Sequence, residues 1–363
     1  MSFLSFVIPT RDRHDELLET LGLLGDVPVR TLGGGAPRVI IVDNGSDPPA
    51  SGVVPARCVN GIRVEVIRLD ENIGAAARNT GAQAAASEWI VMLDDDSAPV
   101  AGDLAGTLGA LPDAVAAYGA EIVLPGGGRE AGGLPEVVVG CGCAYRRAQF
   151  LGVGGYDPTF DYYAEEYDLC AKLIGAGHAV RHGRGVRIEH RKVTAGRDFG
   201  RILHRLVRNN AWVATRYAPD AARGVAIREV YRRYGAIANT ECVPDAFVRA
   251  RADAEATLSA QARTPLNDAD WRRFTGAAAV DRCLIRELGA RGVDRVALVA
   301  RGKGAEVIRS VLDERGVSVD ADAGVRVIAT LSPGPMLDAA ERDPEALLPW
   351  SCTGEWPLDL TDG

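Results

Sequence analysis

The sequence predicts an α/β fold with a largely parallel sheet. In the first half of the chain, short apolar runs alternate with helix-like segments, which is the pattern of such folds. Four of the apolar runs also end in polar or charged residues. Ligands of open α/β sheets bind beyond the carboxyl ends of the strands, so we expect a site along this edge.

The elements follow from the apolar spacing. The predicted strands cover residues 5–9, 38–42, 64–69, 89–93 and 136–145. The predicted helices cover residues 15–24, 74–86 and 163–174, the first with Leu17, Leu18, Leu21 and Leu24 on one face. Glycines at 126–128 and 132–133 indicate a flexible loop before the fifth strand.

The second half of the chain changes character twice. From about residue 197 to 273 it is rich in Arg and Ala, which favours helices, and proline interrupts it only at 219, 244 and 265. A strand at 294–300, a helix at 305–315 and a strand at 325–329 then form a βαβ pattern. We therefore predict three parts, at residues 1–215, 216–275 (a helical extension) and 276–363 (a small α/β module).

Composition excludes several classes of protein. A formal net charge of −8 argues against general nucleic-acid binding, which needs a positive surface. No apolar run reaches the roughly 18 residues of a membrane span, so we expect a cytoplasmic protein, with peripheral membrane association left open. The seven cysteines lack a disulfide-framework spacing, and Cys141-Gly142-Cys143 has no second pair for structural zinc. High Ala, Arg and Gly content suggests a bacterial source with GC-rich DNA.

Three consecutive carboxylates, Asp94, Asp95 and Asp96, leave the end of the apolar run at 89–93. Such groups repel one another and resist burial, so they suit water or a cation. Hard divalent cations such as Mg²⁺ and Mn²⁺ prefer oxygen ligands and neutralise phosphates. The alternative is a solvated turn that caps the next helix.

Two further residues lie on the same predicted edge. Asp43 ends the second strand, where its carboxylate can accept hydrogen bonds from a nucleobase or a ribose. Arg78 lies near the start of the helix at 74–86, where its guanidinium can hold a diphosphate. Alone, the first is more typical of a structural turn, and the second is equally typical of a surface arginine.

The order of these features resembles that of the family 2 glycosyltransferases, which are inverting enzymes with the GT-A fold. The residues that carry the resemblance lie at 6–11, 40–46, 71–79, 93–99, 146–147, 154–157, 165–169 and 190. It covers roughly residues 3–215 and implies a GT-A type nucleotide-binding domain with a mixed, mostly parallel sheet. The tail is similar to small Rossmann-like modules, for which we expect a packing, oligomerisation or acceptor-presenting role, including a homo-oligomer contact.

The resemblance also implies site residues. Those implied to bind the nucleotide are Pro9, Thr10, Arg11, Asp43, Asn72, Arg78, Asp94 and Asp95. Those implied to bind the metal, Mn²⁺ or Mg²⁺, are Asp96 and His190, and neutral imidazole suits Mn²⁺. The basic segment 181–192 around His190 is expected to contain a mobile loop beside the diphosphate, the alternative being a solvated basic loop.

Inversion needs a base that removes the acceptor proton, and Glu165 and Glu166 are the candidates. The alternative is that these acidic residues only stabilise the first turn of the helix by interacting with its dipole. The resemblance implies that Glu166 is the base, but the family commonly has the shorter Asp there, so Glu165 stays open. Asp168 is assigned to structure or to the acceptor, because Lys172 at i+4 can pair with it.

These inferences predict an inverting glycosyltransferase whose divalent metal stabilises the leaving diphosphate. The donor would be a UDP, GDP or dTDP sugar, and the acceptor a hydroxyl or amine of a small molecule or glycan. One alternative is a nucleotidyltransferase that makes nucleotide sugars, although residues 9–13 are not its usual glycine-rich loop. Another is a degenerate domain that only senses a nucleotide or glycan.

Overall fold

A computed structural model describes residues 2–33, 37–192 and 198–351. The eleven strands of the described chain are β1 (Ser2–Thr10), β2 (Arg38–Asp43), β3 (Arg63–Arg68), β4 (Ser87–Met92), β5 (Ser97–Gly102), β6 (Val115–Val123), β7 (Cys143–Arg146), β8 (Ala179–His190), β9 (Arg295–Val299), β10 (Ser318–Val319) and β11 (Arg326–Ile328). The first eight form one sheet and the last three form a second, small sheet.

The α-helices of the described chain follow the same chain order. They are α1 (His14–Asp26), α2 (Ala77–Ala84), α3 (Leu104–Gly109), α4 (Arg147–Gly152), α5 (Glu165–Gly175), α6 (Phe199–Tyr217), α7 (Asp220–Thr240), α8 (Pro244–Thr257), α9 (Asp268–Thr275), α10 (Ala277–Val280), α11 (Arg286–Arg291), α12 (Ala305–Glu314) and α13 (Pro333–Arg342). Helices α6, α7 and α8 pack around a small apolar cluster that includes Leu203, Val207 and Tyr234.

The large sheet has the strand order β3-β2-β1-β4-β7-β6-β8-β5. Four neighbouring pairs are parallel, namely β3 with β2, β2 with β1, β1 with β4 and β6 with β8, and the other three pairs are antiparallel. The predicted mixed, mostly parallel sheet with a small second α/β sheet is therefore confirmed. The parallel strands β1, β2, β3 and β4 have their carboxyl ends at the same edge of the sheet, where a site was expected.

Both faces of the sheet are covered. In β1, Phe6 and Ile8 pack with Leu17 and Leu21 of α1 in one apolar cluster, whereas Val7 packs with the cluster on the opposite face. Strands buried on both faces have near-continuous apolar sequences. The central strands could therefore be predicted from their apolar runs.

The small sheet, in the order β10-β9-β11, packs against the main body of the protein. One apolar cluster contains Leu134 beside the large sheet, Phe274 of α9 and Val296 of β9. Polar contacts reinforce the joint: Arg129 binds Glu121 of β6 at 2.7 Å and Asp338 of α13 at 2.6 Å. The proposed boundaries at 215 and 275 stay predictions, and residues 352–363 lie outside the described part.

Three expectations about elements were wrong. The strand predicted at 136–145 is confined to 143–146, because residues 134–137 instead form a tight turn with mutual hydrogen bonds between Leu134 and Val137. Strands β5, β6 and β8 were missed; β5 begins directly after the acidic turn and contains a proline, which is unusual in a strand. The segment 181–192 was expected to contain a mobile loop, but residues up to His190 belong to β8, which is paired on both sides.

Among the described residues, no helix is both long enough and apolar enough to cross a membrane.

Candidate functional site

The acidic triplet forms the turn between β4 and β5, at the carboxyl end of the parallel strands. The Ser97 hydroxyl closes this turn by accepting a hydrogen bond from the Asp94 backbone N–H at 2.9 Å. The pairing of Ser97 with His190 then places the last residue of β8 beside the triplet. Sheet register thus brings together residues almost 100 positions apart in the chain.

The three carboxylates have different surroundings. Asp95 is buried, accepts a hydrogen bond from Thr10 Oγ1 at 2.9 Å and lies 3.2 Å from Arg13 Nη1. Burial raises its pKa to about 7, more than the neighbouring Arg13 lowers it. Its main-chain oxygen also accepts a hydrogen bond from Thr20 of α1. Asp95 therefore anchors the turn to β1 and α1.

This environment predicts a pH effect on stability. A carboxyl whose folded pKa lies above its unfolded value stabilises the fold below that unfolded value, and the stabilisation is lost as the pH rises. Over the range from about pH 4 to pH 7 the loss is at most about 4 kcal/mol. Asp95→Asn should remove this part of the pH dependence in urea unfolding measured at several pH values. The exposed Asp26→Asn should leave it unchanged, and an unaltered slope in Asp95→Asn would contradict the assignment.

Asp96 is only 1% exposed, and positive groups surround it. Its Oδ2 accepts a hydrogen bond from Arg13 Nη2 at 2.8 Å, and its Oδ1 lies 3.3 Å from His190 Nε2. Burial alone would raise the pKa of Asp96, but these two partners lower it well below its usual range. Asp96 is therefore ionised.

His190 lies among carboxylates. Its Nδ1 is 3.0 Å from Glu130 Oε2, while its Nε2 faces Asp96 and lies 3.9 Å from Asp94 Oδ2. Although burial lowers the pKa of His190, its acidic neighbours raise it to about 12. Glu130 also accepts a hydrogen bond from Lys192 at 3.0 Å. Where a cation is absent, a proton on His190 offsets the negative charge of this cluster.

Asp94 is the most exposed member of the triplet, with a third of its side chain accessible, and it pairs with Arg78. Its carboxylate, the Cys141 thiol and His190 offer ligand atoms that all lie within 4.8 Å of one another. Carboxylate, imidazole and thiolate can each bind a divalent transition metal. Because His190 Nε2 is buried without a hydrogen bond of good geometry in the described chain, the residues fit a cation at this point.

Other predicted nucleotide residues lie on the same edge with their own partners. The Asp43 carboxylate is fully buried and accepts hydrogen bonds from the backbone N–H of Ser46 (2.8 Å), that of Ala50 (2.9 Å) and Arg68 (3.0 Å). These contacts hold the turn after β2 and occupy three of the roughly four acceptor positions of the carboxylate. Its predicted role in base recognition stays a prediction.

Three other residues predicted to bind the nucleotide, Pro9, Arg11 and Asn72, lie in or next to the strand ends at this edge. Pro9 pairs with Val42 inside the sheet, whereas Arg11 is half exposed and lies 3.4 Å from Asp12. The Asn72 side chain accepts a hydrogen bond from the Gly74 N–H at 3.0 Å, which shapes the turn before Arg78. The structure thus places Asn72 in the segment that carries Arg78.

The two candidate bases begin α5. Glu165 is buried, and its Oε2 lacks a hydrogen-bond partner in the described chain. Burial raises the pKa of both carboxyls, and the neighbouring Glu166 raises that of Glu165 further. A Cβ at Gly140 would lie 2.2 Å from Glu166 Oε1, so glycine there leaves room for the acid.

Asp168, one turn further along α5, is engaged in the packing of helices. It pairs with Lys172 at 2.6 Å, as the i+4 spacing predicted, and with Arg216 of α6 at 2.9 Å. It also accepts a hydrogen bond from the Tyr217 hydroxyl at 2.7 Å. With three partners and no exposure, the Asp168 carboxylate joins α5 to α6, and its assignment to structure or to the acceptor stays a prediction.

The loop before α5 has an unusual backbone, with positive φ at Asp161 (60°), Tyr163 (72°) and Ala164 (67°). Residues other than glycine are sterically strained in this left-handed backbone conformation, at a cost of about 1–3 kcal/mol each. The buried Asn209 of α6 offsets this cost, since its Nδ2 donates to the carbonyl oxygens of Phe160 (3.0 Å), Tyr162 (2.9 Å) and Tyr163 (2.7 Å). Asn209 therefore fixes the approach to the two acids.

Sequence reasoning missed Arg13, Glu130, Cys141 and Asn209 as parts of this site. Glu130 lies in the glycine-rich loop, and Cys141 was considered only for structural zinc. No spacing rule connects Asn209 with a loop about 45 residues earlier. In each case the contact depends on how distant segments fold together.

Residues 5–150 match the family model described as Glycosyl transferase family 2. The pre-mycofactocin glycosyltransferase, from two strains of Mycobacterium tuberculosis, is 33% identical over 188 residues, which cover 45% of this chain and 39% of that protein. This chain thus spans well under half the length of those relatives.

Solved structures also resemble the chain, though weakly. A mannosyltransferase from Pyrobaculum calidifontis in complex with GDP-Man and Mn²⁺ is 15% identical, with 87% of each chain covered and a TM-score of 0.45. S. aureus TarS 1–349 in complex with UDP-GlcNAc is 13% identical, covering 86% of this chain and 91% of that one, with a TM-score of 0.49. Likenesses this weak carry no functional argument.

Proposed function

We propose that this protein, whose residues 5–150 match the family model described as Glycosyl transferase family 2, transfers a sugar from a nucleoside-diphosphate donor to an acceptor hydroxyl or amine, with inversion at the anomeric carbon. The observation that carries the proposal is the meeting of Asp94, Asp96 and His190 at the carboxyl edge of the sheet, close to the buried Arg78. The acids of α5 supply the base that this chemistry needs.

The donor would bind along the edge formed by the end of β1, the turn at 72–78 and the acidic triplet. Arg78 is 5% exposed, and its pairing with Asp94 orients its guanidinium toward the point where the diphosphate would lie. Burial would lower the pKa of Arg78, but Asp94 raises it, so the group stays cationic. A fixed cation of this kind binds phosphate oxygens strongly.

A divalent cation, Mn²⁺ or Mg²⁺, would be held by His190 with the carboxylates of Asp94 and Asp96. When bound, it would stabilise the negative charge that develops on the leaving diphosphate. Glu130, hydrogen bonded to His190 Nδ1, would keep Nε2 directed at the site. Arg13 would hold the other oxygen of Asp96 in place, and Thr10 would hold the neighbouring Asp95.

On the acceptor side, Glu166 would remove the proton as the acceptor oxygen or nitrogen attacks the sugar. Its pKa is raised by burial, which makes it a stronger base than an exposed carboxylate, and the positive charge of Lys303 opposes this rise. Lys303 belongs to the turn before α12 and lies 4.1 Å from the ring centre of Tyr167. The small α/β module would thus border the acceptor side of the site.

The test is a donor panel. Purified protein with Mn²⁺ and UDP, GDP or dTDP sugars should release the nucleoside diphosphate, and release should rise when a matching acceptor is added. Asp96→Asn should abolish metal-dependent nucleotide binding measured by calorimetry, because it removes a charge from the cation site. The exposed Asp113→Asn serves as the control and should bind as the unaltered protein does.

Two results would overturn the proposal. One is the absence of nucleoside-diphosphate binding under every metal condition. The other is pyrophosphate release from a nucleoside triphosphate and a sugar phosphate, which would instead indicate a nucleotidyltransferase. Tight donor binding without turnover on any acceptor would favour the sensor alternative.

A further inference from the structure

Cys141 lies beside the acidic triplet although it comes from a different part of the chain. The N–H of the next residue, Gly142, donates to Met92 O at 2.8 Å, which joins this segment to the end of β4. Gly142 has a φ of 72°, and a Cβ there would lie 2.9 Å from Ile188 of β8. The backbone therefore passes close to both strands, and the thiol, 4% exposed, lies next to His190 and Asp94.

His190 has the arrangement of a metal-binding histidine. Its Nδ1 is fixed by Glu130 at 3.0 Å, and its Nε2 is buried without a well-oriented hydrogen bond in the described chain. A carboxylate on one ring nitrogen directs the other nitrogen toward a metal in many proteins. His190 is 8% exposed, so its Nε2 is directed into the cluster and not toward solvent.

The geometry points to a mixed ligand set, and we propose that the Cys141 thiolate binds the divalent cation together with Asp94 and His190. This proposal rests on the cation site of the proposed function and adds a sulfur ligand to it. On binding, the metal–sulfur bond replaces the S–H bond, and the thiol proton passes to solvent. The imidazole binds in its neutral form through Nε2, so the proton that His190 carries in the absence of a cation also passes to solvent.

The spacing suits such an ion. The three ligand atoms lie within 4.8 Å of one another. Ligand atoms of one tetrahedral zinc-like ion, with bonds of about 2.0 to 2.3 Å, lie about 3.3 to 3.8 Å apart. A small movement of side chains would therefore bring the three ligand atoms within bonding distance of one ion.

A sulfur ligand changes which metal the protein selects. Thiolates favour Zn²⁺ and Co²⁺, whereas Mg²⁺ takes oxygen ligands and has little affinity for sulfur. The site would then discriminate against Mg²⁺ in a way that three carboxylates would not. The expected preference is Zn²⁺ or Co²⁺ over Mn²⁺, and Mn²⁺ over Mg²⁺.

The test measures metal binding without sugar transfer. Co²⁺ is titrated into the metal-free full chain carrying Cys242→Ser, which removes an exposed thiol. A sulfur-to-cobalt charge-transfer band should appear at one ion per chain. Cys141→Ser should abolish the band and weaken Co²⁺ binding about 10-fold or more, with Mg²⁺ binding unchanged. Cys143→Ser is the matched control, since that buried thiol packs on the opposite face of the sheet.

A second measurement does not depend on the variants folding. X-ray absorption of the Zn²⁺-loaded unaltered protein should show one sulfur neighbour at about 2.3 Å. Co²⁺ or Zn²⁺ bound without sulfur, or a band lost in Cys143→Ser instead, would overturn the role of Cys141. If Mn²⁺ and donor bind nonetheless, the proposed function survives. If no divalent ion binds, the inference and the metal step both fail.

Discussion

Glu166→Gln should lower the rate of sugar transfer about 10²- to 10⁴-fold and leave the affinity for the nucleoside diphosphate unchanged. The amide keeps the size of the side chain beside Gly140 but cannot accept the acceptor proton. Donor binding depends on the edge around Arg78 and the triplet, which this change does not touch. Steady-state rates and calorimetry on the same preparation separate the two effects.

The pH profile gives an independent check of the same residue. Because burial raises the pKa of Glu166, the acid limb of the rate profile should lie above the ordinary glutamate value of about 4.3. The activity should therefore increase as the pH rises through this limb, where the base loses its proton. Donor binding should not follow that limb.

Glu165→Gln is the matched control, since the two acids are neighbours on α5. Burial raises the pKa of both carboxyls, and Glu165 Oε2 is buried without a hydrogen-bond partner in the described chain. Since Glu166 is the proposed base, we expect Glu165→Gln to retain most of the turnover. If Glu166→Gln keeps full turnover and Glu165→Gln loses it, the assignment of the base must be exchanged.

Asn209→Leu should lower the free energy of unfolding by about 3 kcal/mol and reduce turnover as well. The leucine removes the donor shared by three buried carbonyl groups, and each unsatisfied group costs about 1–3 kcal/mol. The loop that loses its support contains Asp161, whose carbonyl oxygen accepts a hydrogen bond from Ala75 N–H at 2.7 Å. The change thus affects both the donor segment and the start of α5.

Urea unfolding measures the loss of stability, and hydrogen exchange shows where it acts. Amides at 160–166 should exchange faster in Asn209→Leu while those of β1 and β4 stay protected. The exposed Asn239→Leu on α7 should change neither measurement. Unaltered exchange at 160–166 would show that Asn209 does not hold the loop.

The central strands and the acidic triplet could be read from the sequence because their signals are local. An apolar run such as 39–42 remains apolar wherever it packs, and strand ends are marked by the polar residues that follow them. The two acids of α5 and the Asp168–Lys172 pair are also local, since they depend on helical spacing alone. Order along the chain was enough to indicate the family.

Some strands have a local sequence signal and others do not. Residues 295–299 and 326–328 were found, because they are short apolar runs flanked by turns. Strand β5, by contrast, is recognisable only as a partner of β8, and β8 only as a partner of β5 and β6. Residues 181–192 were interpreted as a loop because their many charges conceal the alternating buried positions Val186, Ile188 and His190.

By itself, the sequence determined the α/β class, the edge on which the site lies, the triplet at Asp94–Asp96 and the acids at Glu165–Glu166. Only the tertiary structure decided what each of these groups touches. Burial and sheet register made Asp95 an anchor, paired Asp96 with Arg13 and His190, and brought Cys141 and Glu130 to the same point. The physical reason is that ligand sets and pKa values depend on distances and on exclusion of water, which a chain acquires only when distant segments pack together.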